Sequence, residues 1–150
     1  MKKRMYLAAG LLVVGSAAQA QNAGKDDAVA LVRKAVAHLK KDGVEAACRD
    51  FADPRGGFRQ GDLYVFVQDM HSTMVCHAAN KRINGKDLSA LKDADGKLFS
   101  AAMTELAKTK GAGWVDYRWV NPSTQVIEPK TSYVEKVNDT LWLGVGIYRR

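Results

Sequence analysis

Lys130, His77, Tyr117, Tyr133 and Trp119 are the residues of this 150-residue chain whose types suit molecular recognition. Lys130 offers a cation. His77 offers a ring N–H and a charge that responds to pH near neutrality. Tyr117 and Tyr133 offer hydroxyl donors, and Trp119 offers an indole N–H on a broad flat wall. A cation, neutral donors and an apolar wall are what a small carboxylate requires. Strand parity tests the set. Val115, Tyr117 and Trp119 share one face of a strand, and Val75 and His77 share another. Lys130 and Tyr133 differ in parity, so both reach one hollow only across a bulge.

Each residue also has a structural reading. Aromatic residues on strands are commonly core or cross-strand pairs. A lone histidine such as His77 is commonly a satisfied structural residue. Lys130 follows Pro129, which equally suits an exposed edge. Arg118 faces away from Tyr117, toward the surface. Bond-making chemistry has less support. No G-x-S-x-G, H-E-x-x-H or P-loop appears. His71 and Ser72 are adjacent, but no third group orients them as base and nucleophile. Asp93-Ala94-Asp95-Gly96 begins like a calcium loop, yet its glycine comes too early and no glutamate closes it. No cofactor, metal or enzymatic activity is expected.

The elements that must position these residues follow from periodicity. Lys25 to Lys41 carries Ala28, Leu31, Val32, Ala35, Val36 and Leu39 at helical spacing. Gly43 ends that helix. A shorter one follows with Val44, Ala47, Cys48 and Phe51, before the breaker Asp53-Pro54-Arg55-Gly56-Gly57. Leu63 to Gln68 reads as a buried central strand, turned at Asp69 to Ser72 into a second strand, Thr73 to Ala78. Asn80 to Gly96 is polar, with one helical turn expected around Leu88 to Leu91. Lys97 to Lys110 is a third helix, with Asp95 as its expected N-cap. Trp114 to Val120, Gln125 to Val137 and Leu141 to Tyr148 complete the chain. Their turns are Asn121-Pro122-Ser123 and Asn138-Asp139; the glycosylation pattern Asn138-Asp139-Thr140 reads more naturally as hairpin. Grouped strands predict an α+β domain with a mainly antiparallel sheet covered on one face by the long helix.

Residues 1–20 read as a signal peptide. Lys2, Lys3 and Arg4 precede a short apolar run, Leu7 to Val14, and Ala18-Gln19-Ala20 is a cleavage signal. The run is shorter than the roughly 20 residues a bilayer needs. The expected mature chain, 21–150, keeps 20 basic and 16 acidic side chains, a net of +4. Basic and acidic side chains are interspersed in every segment, with no basic stripe, which argues against a nucleic-acid surface. Export places Cys48 and Cys76 in an oxidising compartment. One is helical and one extended, so a disulfide would staple helix to sheet; two buried thiols are the alternative. Cys76 and His77 are too few for zinc, and no C-x-x-C or C-x-x-C-H occurs.

Several stretches carry a family likeness. They are Gly61-Asp62-Leu63-Tyr64-Val65-Phe66-Val67, Cys76-His77-Ala78-Ala79-Asn80 and Gly85-Lys86-Asp87-Leu88. The most specific are Gly113-Trp114-Val115-Asp116-Tyr117-Arg118-Trp119 with Asn121-Pro122, Pro129-Lys130-Thr131-Ser132-Tyr133-Val134, and Gly144-Val145-Gly146-Ile147-Tyr148. In this order they resemble the single Cache domain, an extracytoplasmic relative of the PAS fold. The resemblance implies a long N-terminal helix, a central antiparallel sheet of about five strands, and a pocket between sheet and lid. It implies a sensor for small organic acids, with Tyr64, His77, Tyr117, Trp119, Lys130 and Tyr133 as candidate ligand-binding residues. Because the sequence ends at Arg150, the expectation is a free-standing periplasmic module that signals through a membrane receptor or kinase. Capture would shift the population of the lid or of a homodimer contact. The competing expectation is an interaction module whose pocket is filled by its own side chains.

Overall fold

A computed structural model of the chain describes residues 23–149. The expected signal peptide and cleavage point lie outside the described residues. Helix α1 (Lys25–Asp42) buries Ala28, Val32, Ala35, Val36 and Leu39 along one stripe. Asp27 reaches back to the Gly24 N–H at 2.7 Å, satisfying one of the helix's unpaired N-terminal donors. Gly43, with φ of 83°, lets the chain reverse into α2 (Val44–Ala52), which buries Ala47 and Phe51.

Five strands follow: β1 (Val65–Asp69), β2 (Met74–His77), β3 (Ala112–Val120), β4 (Ile127–Lys136) and β5 (Leu141–Tyr148). They form one antiparallel sheet in the order β2-β1-β5-β4-β3. The expected α+β architecture is therefore present. The pairings put Val65, Val67, Cys76, Tyr133, Leu143 and Val145 on one face, where α1 packs. The disulfide Cys48–Cys76, with Cα atoms 6.0 Å apart, fastens α2 to β2 on that face. The other face carries Phe66, Gln68, His77, Tyr117, Lys130, Ser132, Val134 and Trp142. Helix α3 (Phe99–Lys110) packs there against β3 and β4.

Between β2 and α3 the chain differs from expectation. The helical turn is a 3-10 turn at Lys81–Ile83, not at Leu88 to Leu91. Asn80 Oδ1 nucleates it by accepting from the Arg82 N–H. Leu88 instead donates its N–H to Ser72 O, which ties the segment to the β1–β2 turn. Helix α3 begins at Phe99 with Leu98 in the capping position, so Asp95 is no N-cap. Asp95 Oδ2 accepts from Arg118 Nε at 2.9 Å. Asp93 organises the loop, taking the N–H groups of Asp95, Lys97 and Arg118. These bonds hold its carboxyl below the usual carboxylate range despite opposing desolvation.

Candidate functional site

The sheet face under α3 is the place where chemistry-bearing side chains converge. Lys130 sits on β4, an interior strand, and is 1 % exposed. The exposed-edge reading of Lys130 is thereby overturned: β3 and β5 flank it, and its even register points it under α3. Two glycines of β5 make room. A Cβ on Gly146 would fall 2.4 Å from Lys130 Cε and 2.2 Å from Ser132 Oγ. A Cβ on Gly144 would fall 2.7 Å from Phe66 Cζ. The Gly144-Val145-Gly146 alternation thus cuts two notches in this face while Val145 fills the other.

Lys130 Nζ donates to Tyr64 Oη at 2.7 Å. Tyr64 and Tyr148 hydroxyls pair at 3.0 Å, and Tyr148 donates to the Val120 carbonyl at 2.8 Å. A carbonyl can only accept, so the chain of donation runs Lys130 to Tyr64 to Tyr148 to Val120. Four ring faces surround the amine: Tyr64 at 4.1 Å, Tyr148 at 4.9 Å, Phe66 at 5.4 Å and Tyr117 at 5.7 Å from Nζ to centroid. Among the described residues no carboxylate comes within 4.0 Å of Nζ. Burial pulls the Lys130 amine well below the ordinary lysine range, and Asp62 opposes this from a distance. Burial likewise raises Tyr64 and Tyr117 well above the ordinary phenol range.

His77 stands beside Tyr64, with ring centroids 4.8 Å apart. Its Nδ1 accepts the Asn80 N–H at 2.9 Å, which leaves Nε2 as the protonated nitrogen of the neutral ring. Burial, then the Lys130 charge, pushes its pKa down to about 3. Tyr117 stacks on Phe99 of α3 at 4.9 Å and meets Ser132 Oγ at 3.0 Å. Trp119 lies 5.3 Å from Phe99 and 6.3 Å from His77, centroid to centroid. Phe66, His77, Tyr117, Trp119 and Phe99 line a cavity closed by Leu88 and Met103. Its volume is about 10 Å³, close to the room one water needs. Phe66 and Tyr117 belong to both the cavity and the lysine's aromatic box.

Five of the six candidate residues, Tyr64, His77, Tyr117, Trp119 and Lys130, are therefore neighbours. Tyr133 is not. β4 runs without a bulge here, so Tyr133 points to the α1 face and packs on Trp114 at 5.4 Å. Tyr148 belongs to the cluster and went unread in the sequence, although its register opposite Lys130 is what brings it there. A second polar group pins α3 to the sheet. Ser100 Oγ donates to Gln68 Oε1 at 2.6 Å, Ser72 and Thr104 hydroxyls meet at 2.7 Å, and Trp142 Nε1 donates to Thr104 Oγ1 at 3.2 Å.

The chain matches known sensor proteins. The model of the Single Cache domain 2 family covers residues 1–149. Over 88 residues, 58 % of the chain, it is 36 % identical to the methyl-accepting chemotaxis protein McpP of Pseudomonas putida. Over 88 residues it is also 33 % identical to the sensor histidine kinase MctS of Rhizobium johnstonii. These matches span only 16 % and 19 % of the two relatives' lengths. Among solved structures, a periplasmic sensor domain of a chemotaxis protein superposes with a TM-score of 0.67 at 29 % identity, over 83 % of this chain and 90 % of its own. A Cache chemosensory domain described for carboxylic acid recognition superposes with a TM-score of 0.71 at 28 % identity, over 83 % of this chain and 92 % of its own. These neighbours are sensor domains and not catalytic ones. With a family model spanning nearly the whole sequence, the chain belongs to the Single Cache domain 2 family.

Proposed function

We propose that the chain is an extracytoplasmic sensor module that captures a small organic acid and passes the event to a membrane receptor or kinase. The observation that carries this reading is Lys130: a buried amine in a box of aromatic rings, sharing two walls with a small cavity between the sheet and α3. A carboxylate brought there would form a charge-assisted hydrogen bond in a low-dielectric setting. His77 and Trp119 would add neutral donors, and Tyr117 with Phe66 would hold the carbon skeleton. A solved neighbour described for carboxylic acid recognition supports the ligand class. Export through residues 1–20 is part of the same reading, and among the described residues no helix is long and apolar enough to cross a membrane.

The cavity is smaller than any organic acid, so capture requires α3 and the Leu88 segment to move outward. That closeness also supports a second reading, an interaction module whose hollow is filled by its own side chains. Thermal denaturation with a panel of short monocarboxylates at millimolar concentration separates the two. The sensor reading expects at least one acid to raise the Tm of the wild type and not of Lys130→Met. Uniformly unchanged melting across the panel favours the filled module.

A further inference from the structure

We propose, building on the acid-sensor reading, that each carboxylate captured enters together with one proton, which is delivered to Lys130. The chain would then report the undissociated acid, the product of anion and proton concentrations, and not the anion alone. The geometry makes the argument. A lysine ammonium has three N–H donors. Here Tyr64 Oη is the hydrogen-bond acceptor given to Nζ, and the remaining directions face aromatic rings. Burying an ammonium without a counter-charge is far costlier than burying the neutral amine. The four ring faces offset part of that cost through cation–π attraction. At an amine that is 1 % exposed, burial draws the proton affinity well below the ordinary lysine range.

The groups around Nζ leave it as the proton acceptor. Tyr64 comes from the segment before β1, Tyr117 from β3 and Tyr148 from β5; burial holds all three phenols protonated. Burial keeps His77 of β2 neutral and the Asn80 N–H occupies its Nδ1; a proton on Lys130, and then Arg59, would repel a charge there further. Asp62 acts on Lys130 from the loop before β1 and is itself bonded to Asn121 and Ser123. Glu128 of β4 acts on Tyr148 and accepts from Asn121 Nδ2. The buried residues of α3 (Phe99, Ser100, Met103, Thr104 and Ala107) do not titrate in this range. An arriving carboxylate brings a counter-charge within hydrogen-bond reach of Nζ. The neutral amine takes a proton from solvent, its lone pair forms the new N–H bond, and an ammonium–carboxylate pair results. No other bond changes.

The test is titration calorimetry of the mature chain with propionate, in buffers of high and low ionisation enthalpy, from about pH 6.5 to about pH 8.5. Propionate is anionic throughout this range. The expected result is affinity falling as pH rises, with buffer-dependent heat showing net proton uptake on propionate binding. Binding with constant affinity and no buffer-dependent heat overturns this inference and leaves the sensor reading standing. No binding of propionate or of any other acid of the panel at any pH removes both. A variant that could misfold is not needed for this test. Lys130→Met sharpens it where its circular dichroism matches the wild type: residual propionate binding should lose its pH slope, and a retained slope overturns the assignment to Lys130.

Discussion

The two faces of the sheet are built by different rules. The α1 face is mainly apolar, with Thr131 as a buried polar exception, and is closed by a covalent staple, Cys48–Cys76. The α3 face buries an amine, an imidazole, the two phenols of Tyr64 and Tyr117, and the polar side chains of Gln68, Ser72, Ser100 and Thr104. Apolar packing is insensitive to pH and to ligands. Buried polar groups stay only where partners are specified, and they respond when a partner changes. The difference assigns stability to one face and response to the other.

The largest expected effect separates the faces by acid. His77 has its pKa pushed down to about 3 from an ordinary 6.5. A depressed histidine pKa means the unfolded chain binds more protons, so stability falls as pH drops from about 6.5 to about 3. That depression corresponds to about 5 kcal/mol of stability lost across the window. Urea denaturation of the wild type and His77→Gln across this window should show the acid loss reduced in the variant. Equal acid sensitivity would remove the distinction.

Next is the staple. Its 28-residue separation predicts about 3.5 kcal/mol of stabilisation by loop closure, so the Cys48→Ala/Cys76→Ala double variant should melt well below the wild type. Acid capture should survive at temperatures where that variant is folded, because the bridge lies across the sheet from Lys130. Loss of capture in a folded variant would mean that the faces are coupled.

Smaller effects sharpen the α3 side. Gly146→Ala must displace Lys130 Cε and Ser132 Oγ, at a cost of about 1–3 kcal/mol. It should weaken acid binding more than its stability loss explains, as read by calorimetry beside denaturation. Ser100→Ala strands Gln68 Oε1 and should cost about 1–2 kcal/mol. Loosening α3 in this way should raise the on-rate for the acid, measurable by stopped-flow tryptophan fluorescence.

Local signals made the elements legible and left the site partly hidden. The stripe from Ala28 to Leu39 and the apolar run around Val65 have one physical reading each, because burial on one face dictates their period. Leu88 misled because apolar spacing resembles a helical turn, whereas its N–H is claimed by Ser72 O, 16 positions back in the chain. Asp95 misled because a capping residue and a loop residue look alike until Arg118 supplies the competing partner. Parity already warned that Lys130 and Tyr133 part company, and the unbulged register of β4 decides which one enters. Tyr64 and Tyr148 are 84 positions apart, and their pairing exists only once β1 lies beside β5 and β5 beside β4. No local pattern contains that information. The notches at Gly144 and Gly146 were visible as glycines, but their purpose needed the neighbours they admit.

The central claim is that Lys130 receives a carboxylate beneath α3. A crystal structure of residues 21–150 grown with propionate addresses it directly. The account predicts a carboxylate oxygen about 2.8 Å from Lys130 Nζ, with Leu88 and Phe99 moved outward to admit it. Propionate bound elsewhere, with the Lys130–Tyr64 bond intact and the hollow still water-sized, would contradict it.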